Sequence, residues 1–414
     1  MKFGPFLGIN NLLRADELTV YERGRPSGQY LRHAFNFDLD NAGRLSRRAG
    51  VSLVEAMAGA HSLWSDGMRT LYVRDSALYE ITDFSPVVYV LLTALSADAR
   101  MSYEGVNGAV YFSNGSDSGR LLSGAEYPEP WSLAVPAVPP VSLIAGTLNP
   151  GTYLLSIVHA TAAGEEGGAS PAQAVELLSV GGIRVTIPSS PAGADNVHIY
   201  LSAADGGVLT RHSVVAGGSG PADLTARHDG AALTQEHLEP QPAGHLVAEY
   251  HGRLLVATGS MLTYSQPRTP GKYLPTKGVI PFPHRVTNIV PCGGGVYVTT
   301  KNETWWLPGD DIADAPARRI LPYGAAEGSR FKLPTGEQVG WYGDNGVIVA
   351  GTDGVADEMQ SANVATDTAD VAAVLVREVG GVSSLVVVLS GNVTTSPLVD
   401  ADITEEVAGR LRGL

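Results

Sequence analysis

Apolar and polar residues alternate with a period of two along much of this chain, in short runs that end at Gly, Pro, Asn or Asp. One unit recurs: a turn residue, four or five β-favouring residues, a polar turn and a second strand. These units are predicted hairpins, and they cover residues 69–82, 108–124, 252–267, 294–309, 345–360 and 383–398. Period-two alternation is typical of half-buried strands, so the chain is predicted to be all-β.

A further strand is predicted just upstream of four of these hairpins, at 100–107, 245–251, 285–293 and 337–344. Repeated strand–turn–strand units are typical of propeller blades, whose circular arrangement protects most sheet edges. The pattern therefore predicts a β-propeller of about five or six blades. The blades lack tryptophan-aspartate and kelch signatures, so a sandwich or an irregular β assembly stays the alternative.

The repeat is interrupted between two proline-rich joints, "VPAVPPVSL" and "EPQPAGH". The short strands between them have a different spacing, which predicts an inserted immunoglobulin- or fibronectin-like β-sandwich at 141–238. The predicted organisation is an N-terminal arm with an arginine-rich hairpin (1–50), a first propeller part (51–138), the sandwich, and a second propeller part (243–414).

Composition narrows the classes of function. The chain is 44% hydrophobic and only 17% charged, which supports real cores, and its formal charge is −14. A protein whose whole surface grips DNA would have the opposite balance. Local arginine patches, or a conduit along which DNA passes without sequence specificity, stay open.

Three local features bear on compartment and redox chemistry. Cys292 is the one cysteine, so no intrachain disulfide forms, and it is predicted to be a small core or turn residue. The N-terminus lacks a charged region followed by a long apolar run, so no signal peptide is expected. The longest apolar stretch, 86–95, is too short to span a bilayer, and no membrane insertion is predicted.

The segment "FNFDLDNAGRLSRRAG" (35–50) has three interpretations: a metal loop, a nucleic-acid patch or a structural hairpin. Asp38, Asp40 and Gly43 match the first, third and sixth positions of a calcium loop. Ala42 and Ala49 stand where two more ligands belong, which argues against calcium. Asn41 and Gly43 are natural turn residues, so a hairpin is favoured.

Four arginines in and near this segment are candidates for a subunit interface or a DNA channel, because guanidinium groups bind phosphates bidentately. These residues are Arg32, Arg44, Arg47 and Arg48. The alternative is that they pair with Asp38, with Asp40 or with the acids of a neighbouring subunit. The acidity of the chain favours that alternative.

Trp305 and Trp306 are the candidates for exposed aromatic contacts. Adjacent residues in a strand point to opposite faces, so one of them can lie in the core while the other meets a partner subunit or a glycan. Packing between blades is the favoured alternative use of this pair.

No catalytic motif is found. The ten histidines form no H-E-x-x-H spacing, and no G-x-S-x-G elbow, P-loop or dinucleotide fingerprint occurs. The acids are plentiful, but the sequence does not pair them as a glycoside hydrolase requires. No enzyme activity, cofactor or metal is predicted, and a glycan-degrading propeller is the weakest alternative.

Three features together resemble a family of tailed-bacteriophage virion proteins. They are "FLGINN" (6–11), "NFDLDNAGRLSRRAG" (36–50) and the repeated hairpins, among which "AEYHGRLLVATGSMLTYSQP" (248–267) looks like the family's recurring blade. The chain looks like the packaged-DNA stabilisation, or tail-nozzle, proteins of short-tailed phages and related propeller-bearing tail proteins. The positions that match the N-terminal pattern are Asn36, Asp38, Asp40, Gly43, Arg47, Arg48 and Gly50.

The resemblance implies a structural component of a phage tail, in the nozzle, the tip or a baseplate. Such a protein would form a homo-oligomeric ring or adaptor that connects other tail proteins and helps to retain or release packaged DNA. It would assemble in the bacterial cytoplasm and reside in the virion. A module that binds a host receptor, or carries a receptor-binding protein, is the alternative. The best-known nozzle proteins are larger, so this chain would be a compact relative or a long-tail tip protein.

Overall fold

The computed structural model describes residues 6–394 apart from positions 36, 40, 41, 49, 51, 314, 335, 380 and 381. The chain folds as two compact units. One comprises residues 58–283, and the other, here named the flanking unit, comprises residues 1–57 and 284–414. All regular secondary structure in the described ranges is β-strand. The fold class predicted from the alternation is therefore confirmed as all-β.

The N-terminal segment of the flanking unit forms two small sheets. The first has the order β1-β3-β2, with β1 parallel to β3, and the second is the hairpin β4-β5. Their strands are β1 (Phe6–Ile9), β2 (Thr19–Glu22), β3 (Arg25–Leu31), β4 (Phe37–Leu39) and β5 (Leu45–Arg47).

Residues 58–283 begin with two antiparallel sheets in sequential strand order. Inward-facing residues of both sheets, among them Leu71, Leu78, Phe112 and Leu121, share one buried core. The strands are β6 (His61–Ser65), β7 (Thr70–Arg74), β8 (Ala77–Phe84), β9 (Val87–Ala94), β10 (Ser102–Val106), β11 (Ala109–Ser113) and β12 (Ser118–Leu121).

The predicted inserted sandwich follows, with sheets of order β13-β17-β20 and β15-β14-β18-β19, in which β16 also pairs with β14. Its core contains the fully buried Leu155, Ile157, Ile183 and Ile199. The strands are β13 (Val141–Leu148), β14 (Gly151–Ala160), β15 (Glu166–Ala169), β16 (Gln173–Leu177), β17 (Gly181–Thr186), β18 (Asn196–Leu201), β19 (Thr210–Ala216) and β20 (Pro221–Leu224).

A third blade-like sheet, of order β22-β23-β24-β26, completes this unit, and a short pair joins β21 to β25. Val247, Leu254 and Val256 of the sheet pack against Val106 and Tyr111 of the β10–β12 sheet. The strands are β21 (Glu239–Pro240), β22 (Leu246–Tyr250), β23 (Arg253–Thr258), β24 (Met261–Tyr264), β25 (Lys272–Tyr273) and β26 (Val279–Pro281).

The C-terminal part of the flanking unit contains two four-stranded antiparallel sheets and a long hairpin. Tyr297 and Trp306 of one sheet pack against Trp341 and Ile348 of the next. The strands are β27 (Val286–Cys292), β28 (Gly295–Thr300), β29 (Thr304–Pro308), β30 (Arg318–Leu321), β31 (Phe331–Lys332), β32 (Val339–Gly343), β33 (Gly346–Ala350), β34 (Ala356–Glu358), β35 (Val371–Val379) and β36 (Val382–Ser390).

Within each unit, antiparallel sheets of three or four strands pack on one another through shared cores, as is typical of propeller blades, and the sandwich follows the second of these sheets in sequence. The blade count stays a prediction. The last predicted hairpin, 383–398, differs from the rest. Its first strand, β36, pairs with the upstream β35, and residues 395–398 lie outside the described ranges.

Candidate functional site

The segment that raised three interpretations folds as a hairpin. Phe37 pairs with Arg47, Asp38 with Ser46 and Leu39 with Leu45. Gly43 lies in the turn with a φ of +74°, a left-handed conformation that glycine adopts at little steric cost. The structural-hairpin interpretation is therefore confirmed. Asn36, Asp40, Asn41 and Ala49 lie outside the described residues, so the calcium-loop alternative stays untested at Asp40 and Ala49.

The arginines of this segment lie on the surface. Arg48 Nε donates to Asp38 Oδ1 at 2.8 Å, which confirms one of the predicted self-pairings. Both side chains are about half exposed, and an ion pair of that kind stabilises a fold by roughly 0–1 kcal/mol. Arg44 and Arg47 are exposed, and Arg32 is half-buried. Their role at a subunit interface or a DNA channel stays a prediction.

The two tryptophans separate as strand geometry requires, but the exposed-contact prediction is wrong for Trp306. Its side chain is 1% exposed, and its ring centroid lies 4.3 Å from that of Tyr297. The ring centroid of Tyr297 in turn lies 5.3 Å from that of Trp341 in the next sheet, so Trp306 packs between two sheets. Trp305, on the opposite face of β29, is half-buried beside Arg319 of β30 and stays a contact candidate.

Cys292 is buried within the same core as Trp306, which confirms the predicted core position. Burial raises the pKa of its thiol, so the reactive thiolate is disfavoured at neutral pH. No group of three or more potential metal-ligating side chains occurs among the residues that the structure describes. In the same ranges, no helix has the length and apolar character needed to cross a bilayer.

The "FLGINN" motif anchors the N-terminal arm (residues 1–50) to the C-terminal part of its own unit. Asn11 Nδ2 donates to the Ala365 carbonyl at 2.9 Å, and the Ala365 amide donates to Asn11 Oδ1 at 2.8 Å. Asn10 Nδ2 reaches Asn363 Oδ1 at 3.3 Å. Asn10 and Asn11 are 5% and 7% exposed. These amides act as a clamp, a role that the motif did not reveal because its partners lie more than 350 residues away.

Beyond this clamp, the arm presents large apolar side chains to solvent. The exposed fraction is 47% for Leu7, 63% for Tyr21, 58% for Phe35 and 46% for Phe37. Single exposed apolar residues are ordinary, but several aromatic side chains on one short arm indicate a surface that packs against something else.

The β35–β36 hairpin has a second uncovered surface. On the inward side of the hairpin, four aliphatic side chains pack on Phe331, Tyr342 and Val347 of the neighbouring sheet: Val374, Val376, Leu385 and Val387. On the other side Leu375 faces Val386 and Ala373 faces Val388 across the ladder. These four residues are here named the outer face. Leu375 is 62% exposed, Val386 41% and Val388 60%.

A cleft of about 480 Å³ lies in the same unit, beside the start of β35. Arg285 holds Glu327 with two hydrogen bonds of 3.0 and 3.4 Å, and Asn392 Nδ2 donates to Asp370 Oδ2 at 2.7 Å. Lys301 lies 3.8 Å from Asp370. The volume falls within the range of small-ligand sites, and the lining is polar and ionic.

An ionic network centred on the buried Arg120 joins the inserted sandwich to a blade of the same unit. Arg120 of β12 donates to Glu165 at 2.9 and 2.6 Å and to Glu129 at 2.8 Å. Although burial opposes it, the hydrogen bonds from Arg120 to Glu165 raise the pKa of the guanidinium further above its usual range. Arg120 is therefore a fixed cation between a blade and a sandwich loop.

A lysine extends this network on the other side. Lys272 of β25 is 4% exposed, and its Nζ donates to the Glu166 carbonyl at 2.5 Å and to Gln235 at 3.2 Å. The Glu166 carboxylate accepts from Tyr200 at 2.5 Å and lies 2.5 Å from His198 Nδ1. Burial lowers the pKa of Lys272, and burial together with Glu166 raises that of Tyr200. The network fixes the sandwich in place, and no motif in the sequence predicts it.

No protein-family model and no curated protein matches the chain. Among solved structures it is similar to apo AztD from Citrobacter koseri, with 10% identity over 71% of this chain and 68% of that one, and a TM-score of 0.28. It is also similar to PorZ, a surface component of the type-IX secretion system of Porphyromonas gingivalis, with 9% identity, coverage of 76% and 40%, and a TM-score of 0.22. Saccharomyces cerevisiae Sqt1 gives 9% identity, coverage of 70% and 80%, and a TM-score of 0.22. TM-scores of 0.22–0.28 are too low to show a shared fold or a shared function.

Proposed function

We propose that this protein is a structural component of a bacteriophage tail, located in the nozzle, the tip or a baseplate. In this proposal copies of the chain form a ring that connects other tail proteins. The ring helps to retain packaged DNA and to release it during ejection. Its role is architectural, with no catalytic step and no cofactor.

The N-terminal arm is the observation that carries this proposal. It contains two of the three features on which the resemblance to tail proteins rests, and its aromatic side chains Tyr21, Phe35 and Phe37 are 46–63% exposed. An arm that is clamped at one end by Asn11 and apolar along its surface suits a subunit contact. A monomer gains nothing from exposing these side chains to water.

The organisation of the rest of the chain also supports an architectural role. In residues 58–283 the blade-like sheets present loops on a packed frame, and the inserted sandwich is fixed to that frame by Arg120 and Lys272. A rigid frame transmits force and position between neighbouring tail proteins. The acidic chain suits a surface along which DNA passes without being gripped, because like charges repel.

Peptide mass spectrometry of purified virions tests this proposal. The protein should be present at a constant number of copies per particle, and a gold-labelled antibody should bind the tail rather than the head. Virions that lack the protein, from cells that contain it, would contradict the proposal.

The cleft beside β35 favours a second candidate, a module that binds the host surface. Its arginine, lysine, carboxylate and amide side chains can form hydrogen bonds with a polar ligand, and its volume of about 480 Å³ accommodates one. Binding of the purified protein to envelopes of sensitive cells, with loss of binding in Asp370→Ala, would support this candidate. Equal binding by the wild type and by Asp370→Ala would show that the cleft is not the binding site.

A further inference from the structure

The cleft beside the start of β35 is built by loops from several parts of the flanking unit. Its wall combines the start of β27, the β28–β29 and β32–β33 turns, and the segments on either side of the β35–β36 hairpin. The sheets that carry these loops pack on one another through buried cores. Loops that converge on one cleft from a packed frame are a common arrangement of ligand sites.

The cations of this cleft are paired within its wall. Arg285 donates to Glu327 at 3.0 and 3.4 Å. Lys301 Nζ lies 3.8 Å from Asp370, whose other oxygen accepts from Asn392 at 2.7 Å. An anionic ligand would therefore have to compete with two carboxylates for these cations, which disfavours phosphates and carboxylates as occupants.

Asp344 adds a third carboxylate to the same lining. Among the residues that the structure describes, no lysine or arginine forms an ion pair with it. Partial burial raises the pKa of this carboxyl, because the charged form loses some of its water. Asp344 is thus available as a hydrogen-bond acceptor for a ligand.

The rest of the lining is mostly neutral and polar. Four of its side chains, besides that of Asn392, carry a hydroxyl or an amide: Thr287, Asn302, Thr368 and Thr394. Such groups both donate and accept hydrogen bonds. An apolar ligand would leave them without partners, which costs free energy for each group withdrawn from water.

We infer that this cleft binds a neutral, hydroxyl-rich ligand, namely a sugar unit of a glycan. The inference rests on the second candidate function, the host-surface module, and names the chemical class of its ligand. A sugar hydroxyl donates to a carboxylate and accepts from a neighbouring cation or amide, so a pair such as Lys301 and Asp370 can hold hydroxyls without a change in net charge. The lining that the structure describes contains no aromatic side chain, so binding relies on hydrogen bonds and should be weak.

The test is saturation-transfer NMR on the full chain, which detects dissociation constants on the order of 1 mM. The probes are glucose, galactose, mannose and N-acetylglucosamine. Each hexose is compared with the uronate and the amino sugar of the same ring, which add one negative or one positive charge. Asp344→Asn and Asp370→Asn remove a carboxylate with little change in size. Asp357→Asn is the matched control, since Asp357 is an exposed carboxylate of the same unit outside the cleft.

At least one neutral sugar should give a signal, and its charged counterparts should give weaker signals or none. Asp344→Asn and Asp370→Asn should each weaken binding of that sugar by about tenfold, because a charge-assisted hydrogen bond is lost. Asp357→Asn should bind as the wild type does. Absence of a signal from all four neutral sugars would overturn the inference. Stronger signals from a charged counterpart, or full binding by Asp344→Asn, would overturn it as well.

Failure of this inference is distinguishable from failure of the host-surface function. If Asp370→Ala loses binding to envelopes while no neutral sugar binds the wild type, the host-surface function stands and the sugar inference falls. If a neutral sugar binds in the cleft while envelopes bind the wild type and Asp370→Ala equally, the sugar site stands and its role in host binding falls.

Discussion

At the residue scale, His159 of β14 makes the inserted sandwich sensitive to acid. Its side chain is 4% exposed, and neither ring nitrogen has a hydrogen-bond partner in the described structure. Burial lowers the pKa of this imidazole, because the charged form would lose its water. The folded protein therefore holds His159 neutral at a pH where the unfolded chain binds a proton.

This difference gives the first prediction. As the pH falls below about 6.5, the unfolded state binds more protons than the folded state, so the free energy of unfolding falls. The contribution of His159 to this loss grows until the pH reaches the lowered pKa of the folded protein, and below that pH it stays constant. Urea unfolding of His159→Leu should show a weaker loss of stability between pH 7 and pH 5 than the wild type does. Equal losses in both proteins would show that His159 does not carry the effect.

Arg120 gives the second prediction at this scale. Arg120→Ala removes a guanidinium that is 10% exposed and leaves Glu165 and Glu129, which are 45% and 35% exposed, without their cation, so the loss of its charge-assisted hydrogen bonds should cost roughly 2 kcal/mol. Arg184→Ala is the control, since Arg184 and Asp223 form a similar pair in which both side chains are more than 40% exposed. That change should cost less than about 1 kcal/mol. Similar losses in a calorimetric scan would contradict the structural role of Arg120.

At the element scale, the clamp of Asn10 and Asn11 decides whether the arm is held. Asn11→Ala removes two hydrogen bonds to Ala365, so the start of the arm should detach locally without global unfolding. Limited trypsin digestion should then cut after Arg14 and Arg23 several-fold faster than in the wild type. Asn302→Ala, at an exposed asparagine, should leave the rate unchanged. An unaltered rate for Asn11→Ala would mean that the arm is held elsewhere.

Much of the strand pattern could be predicted from the sequence because its signals are local. The hairpin predicted at 294–309 became β28 and β29 with bounds that differ by one or two residues, since period-two alternation is set by burial of one face. The outer strands β9, β26 and β30 were not predicted. They are edge strands with weaker alternation, and β26 and β30 have only three and four residues.

Contacts between distant segments could not be predicted in the same way. Asn11 and Ala365 meet only after the chain has folded, and nothing in "FLGINN" names its partner. Lys272 resembles a surface lysine in sequence, yet it is buried against the sandwich. Trp305 and Trp306 show the same limit of prediction from sequence. Strand alternation predicts that they point to opposite faces, but it does not predict which face is buried in the core. The sequence left that choice open, and packing on Tyr297 decided it for Trp306.

At the scale of the whole molecule, charge is unevenly distributed along the chain. A protein of formal charge −14 begins with fifty residues of charge +3. Copies of an acidic protein repel one another, so a basic apolar arm is the segment best suited to bring them together. This asymmetry links the residue pattern that resembles phage tail proteins with the assembly that we propose.

Electron microscopy of the purified protein tests this account most directly. Two-dimensional class averages should show closed rings with a uniform number of subunits around a central opening. A wild-type protein that is strictly monomeric at tens of micromolar, and absent from virions, would contradict the account.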